Sequence, residues 1–366
     1  MRRRLKSISV LSILLVFAVI LGACGNNSTG NNASGSADAA SDQPLAGKNI
    51  ALIMRLNNGT FSAQYIDGVK SQVAKYGGNV TVISADNDLS KMASSLDAAV
   101  NQGQFDGILI DHGDAGALTA GVQKAVQANI PVIAFDSALD GIPGVTSLAQ
   151  NDQKMAELTL DQLAKDAGGK GNIVKIWVAG FPPMESRQIS YKAFQGKYPD
   201  IKEIAAFGTA DNAQLDAQTQ MEAILKQYPN KGDIAAVWAS WDEFAKGASN
   251  AIKQAGRDDI KVYGIDLSDE DLSMIQDPSS PWVASAAVDP TTIGRVQVRY
   301  LYQKFAGNTS DQRVELEPVY VKRDDLPKDK KVTTADLGEY VKGWGDSDQG
   351  NTDELKALEK AIAAGK

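Results

Sequence analysis

Twice along this chain, apolar runs of strand length alternate with stretches whose apolar residues recur every three to four positions. Ile50 to Met54, Val80 to Ile83, Gly107 to Asp111 and Pro131 to Phe135 are short and apolar, as strands buried on both faces require. Between them, Ile66, Val69, Val73 and Tyr76 share one helical face, as do Met92, Leu96 and Ala99, and then Leu118, Val122 and Val126. Gly77-Gly78 stops the first helix, and Asp86 or Asp88 is placed to cap the second. The rhythm restarts after Gln150-Asn151-Asp152, which is suited to capping a helix bearing Ala156, Leu160 and Leu163. Ile173 to Val178, Glu203 to Phe207, Ile234 to Trp238 and Lys261 to Ile265 are the later strands. Helices with Met221, Ile224, Leu225 and Tyr228, and with Phe244, Ala248, Ala251 and Ala255, lie between them. Strands alternating with helices of this length predict parallel sheets covered on both faces, and two consecutive sets predict two such α/β domains. A chain of 366 residues is also too long for one ordinary core.

Open sheets of this kind bind ligands at the carboxyl ends of their strands. Those ends carry Arg55 with the loop Leu56-Asn57-Asn58-Gly59-Thr60-Phe61, then Asp136-Ser137. Further on come Ala179-Gly180-Phe181-Pro182-Pro183 with Glu185 and Arg187, Ser240-Trp241-Asp242, and Asp266. Carboxylates accept from paired hydroxyls, a guanidinium donates to ring and hydroxyl oxygens, and an aromatic face packs on the C–H side of a sugar. The set therefore suits a polyhydroxyl ligand better than proton chemistry. Asp136 and Asp266 read as ligand contacts, whereas Asp242 reads as a helix cap.

One cysteine and one histidine limit the alternatives. Cys24 has no partner for a disulfide within the chain, and Cys24 with His112 falls short of a zinc site. A nucleophile–histidine set would have to use His112, in Asp111-His112-Gly113-Asp114, which reads as structural. Asp86-Asn87-Asp88-Leu89-Ser90 opens like a calcium loop, but Lys91 stands where glycine is required at the sixth position. No glycine-rich phosphate loop is present. The expectation is a binding protein, not an enzyme, with no cofactor and no metal. A formal charge of −8 with no basic run argues against a nucleic-acid partner.

Residues 1–23 have the make-up of an export signal. Arg2, Arg3, Arg4 and Lys6 precede an apolar stretch from Ile8 to Leu21, shorter than the roughly 20 residues of a spanning helix. The ending Leu21-Gly22-Ala23-Cys24 resembles the bacterial lipoprotein signal, in which the cysteine is lipidated and becomes the first residue. Lipid on Cys24 would hold the protein at a membrane surface, and residues 24–47, rich in Gly, Ser, Asn and Ala, would form a flexible tether. Losing the four basic residues of the signal would take the charge from −8 to −12.

Over residues 48–322 the order and spacing of several segments resemble the ribose-binding group of type I periplasmic sugar-binding proteins. These segments are IALIMRLNNGTF followed by DGVK, QANIPVIAFDSA, AVWASWDEFAKGASNAIKQAG, KVYGIDLSDE and DPTTIG. The resemblance implies two Rossmann-like lobes with parallel sheets, joined by a three-crossing hinge near Gln150, Ala286 to Pro290 and Glu315 to Val319. It implies a first lobe of 48–150 plus about 289–317, a second of 151–288 plus about 318–325, and a C-terminal extension, 326–366, with Trp344 and a helix from about Thr352 to Ala364. It places Arg55, Phe61, Asp136, Trp241 and Asp266 on the ligand, with Asn58, Ser137, Arg187, Asn212 and Asp289 as further candidates. Ser137 stands where ribose binders carry arginine, Trp241 replaces asparagine and Val288 replaces glutamine, which points to another pentose, a hexose or a polyol. The implied protein is an extracytoplasmic monomer that binds a small sugar or polyol and delivers it to an ABC permease with its ATPase. A sensory receptor of the same fold and a binder of a non-sugar small molecule are the alternatives.

Overall fold

The apolar runs become strands and the periodic stretches helices. The computed structural model describes residues 45–308, 311–345 and 347–365, so Cys24 and the signal lie outside the described residues. The first lobe is built by β1 (Asn49–Met54), α1 (Gly59–Lys75), β2 (Asn79–Ser84), α2 (Leu89–Gln102), β3 (Gly107–Asp111), α3 (Ala115–Gln127), β4 (Val132–Phe135) and β5 (Val145–Gln150). The second lobe follows with α4 (Asp152–Asp166), β6 (Gly171–Ile176), α5 (Pro182–Lys197), β7 (Ile201–Phe207) and α6 (Ala213–Gln227). It continues with β8 (Ala236–Ala239), α7 (Asp242–Gln254), β9 (Lys261–Ile265), α8 (Asp269–Gln276) and β10 (Trp282–Ala287). The chain then returns through α9 (Pro290–Phe305) and β11 (Arg313–Leu316), crosses again to β12 (Val319–Lys322), and ends in α10 (Asp353–Ala364).

Among the described residues two six-stranded sheets result, ordered β2-β1-β3-β4-β5-β11 and β7-β6-β8-β9-β10-β12. All pairings are parallel except β10 with β12. In each sheet the strand order reverses beside the first strand of its set, β1 or β6, and that reversal opens the crevice where such sheets bind ligands. Each sheet is covered on both faces. In the first lobe α1 and α9 seal one side over Leu52, Leu109 and Phe135, and α2 and α3 the other over Ile53, Ile110 and Ala134. Helix starts follow local capping chemistry: Asp88, Asp114, Asn151 and Asp289 accept from backbone N–H groups of their first turns, and Ser268 with Asp271 forms a capping box.

Opposite lobes also touch across the mouth between them. Asn87 donates to Asp211 at 3.0 Å, Thr60 to Glu270 at 3.2 Å and Gln64 to Thr334 at 2.6 Å. Gly59, with φ +74°, opens α1 against the second lobe; a side chain there would start 2.3 Å from Glu243 Oε1. The positive φ is what calls for glycine here, since the Glu243 carboxylate is the movable end of a side chain.

Candidate ligand-binding site

The strand ends of both lobes converge on one cavity of about 640 Å³, including its open mouth. The first lobe contributes Asn58 and Phe61 from the start of α1, His112 after β3 and Asp136 after β4. The second contributes Phe181 just before α5, Met184 and Arg187 on α5, Trp241 and Asp242 after β8, and Asp266 after β9. His112, Asp136 and Asp266 hold φ values of 55°, 45° and 71°. Such left-handed backbone is uncommon outside glycine and clusters at functional sites, because it re-aims a side chain at the end of a strand.

A buried polar network runs from lobe to lobe. Gln150, at the first crossing, donates from its backbone and side chain to Asp136, both at 3.3 Å, and from Nε2 to Asp266 Oδ1 at 3.5 Å. Arg187 forks onto Asp266 at 3.1 and 3.2 Å, donates through Nε to Asp152 at 2.9 Å, and donates to the Ser240 carbonyl at 2.6 Å. Beside it, Asp111 pairs with His112 Nδ1 at 2.7 Å. Facing this network is an apolar patch in which Phe181 and Met184 pack with Leu56, Val178 and Trp241. One wall thus offers charged donors and acceptors and the other offers aromatic and thioether surface.

Electrostatics keep the polar wall partly protonated. Burial and the nearby Asp152 push the Asp136 carboxyl up to about 8, against the pull of His112 and Arg187. Burial likewise lifts Asp152 to about 6 despite Arg187. For His112 burial works the other way, but the Asp111 carboxylate and its hydrogen bond prevail and raise the ring to about 9. Both Asp136 and His112 therefore bind protons more tightly folded than unfolded. Stability from such groups is full below their unfolded values and is lost as pH rises through the folded ones. The melting temperature of the ligand-free protein is expected to fall steadily from pH 6 to pH 9. The strongly lowered carboxyls Asp259 and Asp277, near 2, titrate too far below that window to mask it. In Asp136→Asn the slope up to pH 8 is expected to flatten, which melts across a buffer series would show.

Phe61, Asp136, Trp241 and Asp266 are brought together in the cavity, along with Asn58 and Arg187. Four expected residues are elsewhere. Arg55 does not line the cavity: it stacks on Phe181 with the guanidinium 3.8 Å from the ring centre, donates to Asn87 at 3.0 Å and reaches the Gly180 carbonyl of the other lobe at 3.0 Å. Its long arm spans the mouth as a clasp. Ser137 turns away from the cavity, accepting from the Gly113 N–H and donating to the Phe135 carbonyl, because a short hydroxyl closes on its own backbone. Asn212 takes φ 52° just before α6, outside the cavity. Asp289 caps α9 by accepting from Thr291 and Thr292 at the second crossing.

Asp242 departs from its expected role as a cap. Trp241 occupies the N-cap position of α7, and Asp242 stands in the first turn, buried, lining the cavity. Burial and Asp271 push its carboxyl well above the carboxylate range, while Lys246, wholly buried, lies 3.6 Å from it and 2.7 Å from Glu243. Phe181, which stands in a strand-end run, lines the cavity as well. His112, Gln150 and Met184 also line it, unannounced as ligand contacts by the residue pattern; His112 carried one signal, its place directly after a strand. Among the described residues no cluster of His, Cys, Asp and Glu has the geometry to hold a metal ion.

The family description "periplasmic binding protein domain" matches residues 50–309, most of the two lobes. The chain belongs to the periplasmic binding protein family. Its family is one of extracytoplasmic substrate-binding proteins rather than enzymes. Relatives include the ribose import binding protein RbsB of Bacillus subtilis, 28% identical over 247 residues that cover 68% of this chain and 78% of the relative. The xylitol-binding protein of Mycolicibacterium smegmatis is 30% identical over 194 residues, covering 53% of this chain and 54% of the relative. Among solved structures, a sugar ABC transporter protein of Yersinia enterocolitica superposes with a TM-score of 0.83 at 34% identity, over 87% of this chain and 96% of its own. The 5-methylthioribose transporter solute binding protein of Thermotoga lettingae, crystallised with 5-methylthioribose, gives 0.81 at 32% identity over 86% and 97%. As a periplasmic binding protein, the chain is of the type that serves sugar ABC importers, with two α/β lobes on either side of a cleft.

Proposed function

We propose that this protein captures a monosaccharide or sugar alcohol between its lobes and hands it to an ABC permease and its ATPase, tethered by lipid on Cys24. The observation that carries the reading is the network Asp136–Gln150–Asp266–Arg187, which reaches from the first lobe through a hinge crossing into the second. A ligand bridging it is held only when the lobes are shut, which is how closure reports occupancy. In this reading Asp136, Asp266 and Arg187 take the hydroxyls, Asn58 assists them, and Phe61 and Trp241 take the C–H faces. Met184 and Phe181 add an apolar wall that suits a sugar bearing an apolar substituent, such as the 5-methylthioribose held by the Thermotoga protein.

Thermal-shift screening against D-ribose, D-allose, xylitol, D-glucose and 5-methylthioribose tests this. A bound sugar at a hundred times its Kd is expected to stabilise the protein by about 2.7 kcal/mol. The shift is expected to vanish in Asp266→Ala and Trp241→Ala. No shift with any sugar or polyol overturns the ligand class. Separately, Cys24→Ser is expected to move the protein from the membrane to the soluble fraction, and an unchanged membrane fraction would refute the lipid anchor.

A further inference from the structure

The C-terminal segment is anchored on both lobes. Its first half belongs to the second lobe: Leu326, Val332, Leu337, Val341 and Trp344 are buried in the same core as Leu272, Ile275 and Trp282. Polar contacts fix it there. Gln276 donates to the Pro327 and Lys330 carbonyls and accepts from Val332, Asp269 accepts from Thr334, and Trp344 Nε1 donates to the Thr334 carbonyl at 2.7 Å. Its second half belongs to the first lobe. Arg299 donates to the Ser347 carbonyl at 2.8 Å and Gln303 to that of Gly350 at 2.7 Å, while α10 buries Leu355 in the first lobe's core and Glu359 accepts from Gln72 at 2.6 Å. Between the anchors, the Gly345 carbonyl accepts from Thr292 beside the second crossing. A cavity of about 600 Å³ lies between Gly343, Trp344, Gly345, Ser347 and Gln349 on one side and the second and third crossings on the other, with Asp289, Glu315 and Val319 on the hinge side.

We propose that residues 326–365 are a fourth crossing, a strap that limits how far the lobes open and thereby tightens ligand binding. From Trp344 to Ser347 the chain can extend by only about 10 Å, at roughly 3.3–3.6 Å per residue. Wider opening must pull one anchor out of its core. The strap also joins the shut state directly, since Thr334 accepts from Gln64 of the first lobe. It therefore narrows the open ensemble and adds a bond to the closed one, so less conformational freedom is lost when the lobes close and the shut state is favoured.

The test lengthens the strap without removing it. Four, eight and sixteen Gly/Ser residues are inserted after Gly345 of the full chain, and each variant is checked by circular dichroism for an unchanged fold. Small-angle scattering of the ligand-free protein is expected to show a radius of gyration that grows with insert length. Affinity for the sugar found by thermal shift, with D-ribose and 5-methylthioribose as first probes, is expected to weaken by roughly threefold for each doubling of the free length. A radius and an affinity both indifferent to insert length overturn the strap. If no sugar binds, the ligand reading falls but the scattering series still decides the strap. If a variant loses its fold, Thr334→Val, which takes away the strap's acceptor for Gln64 and one of its two bonds to Asp269 and leaves the Gln64–Asp269 bond in place, is expected to weaken affinity, and unchanged affinity in that variant overturns the strap.

Discussion

Arg187→Ala is expected to destabilise the protein by about 3–5 kcal/mol and to abolish sugar binding. The guanidinium is buried, and it satisfies Asp152, Asp266 and the Ser240 carbonyl at once. Burial opposes its charge, yet Asp266 and Asp152 hold its affinity for the proton above the ordinary value. The pairing thus outweighs the burial in the intact site. Removing one partner does not return that balance, because it leaves carboxylates buried without a counter-charge. Asp152, already raised to about 6, then takes up a proton more readily still, so the deficit is expected to shrink as pH falls toward 5. Arg187→Met combined with Asp152→Asn and Asp266→Asn removes the charges along with the arginine. It is expected to recover most of the stability and none of the binding. Urea midpoints of the two variants, compared at pH 5 and pH 8, separate these effects. Equal midpoints for wild type and Arg187→Ala would mean that the fork carries no net stabilisation.

What could be read from the sequence was whatever depends on neighbours along the chain. The runs Ile50 to Met54 and Gly107 to Asp111 are strands because nothing so apolar and so short remains stable at a surface. Asp136 and Asp266 were legible as cavity residues because each directly follows such a run. Helix α5 was harder to read: it opens on Pro182-Pro183, and Met184, Tyr191 and Phe194 lie among polar residues. Residues whose role depends on the opposite lobe were not legible. Arg55 stands at a strand end like Asp136, but a long guanidinium reaches past the cavity to Gly180, whereas a short carboxylate stays at the end of its own strand. Asp242 carries the usual mark of a cap, yet Trp241 holds that position and the Asp242 carboxyl is drawn into the cluster with Lys246 and Asp271. Nothing in the spacing of Leu326 to Leu355 announces that one segment is anchored in two cores, since both anchors are long-range contacts.

Gly68→Val and Gly294→Val are each expected to destabilise the first lobe by about 3 kcal/mol or more and to weaken ligand binding. Both glycines lie inside helices, where glycine costs roughly 1 kcal/mol relative to alanine. On propensity alone replacement should therefore help. Packing reverses the sign. A Cβ on Gly68 would stand 2.2 Å from the Thr291 carbonyl oxygen, and one on Gly294 would stand 2.4 Å from the Tyr65 carbonyl and 2.6 Å from the Val69 nitrogen. These neighbours are backbone, so α1 and α9 must move apart; overpacking by a single methyl commonly costs 1–3 kcal/mol, and valine adds two more carbons. Alanine at either position is expected to lose about 1–2 kcal/mol, the difference between the clash and the propensity gain. Since one outward shift of α1 relieves both clashes, the double alanine variant is expected to fall short of the sum. The same shift moves Asn58 and Phe61, at the start of α1, away from Trp241, so affinity falls with stability. Gly196 supplies the opposite case. It is exposed in the last turn of α5, and no atom lies within 4 Å of a Cβ built there. Gly196→Ala is expected to stabilise by up to about 1 kcal/mol with binding unchanged. If denaturant midpoints moved the same way at Gly196 and Gly294, helix propensity rather than the approach of α1 to α9 would be the dominant effect, and the packing argument would fail.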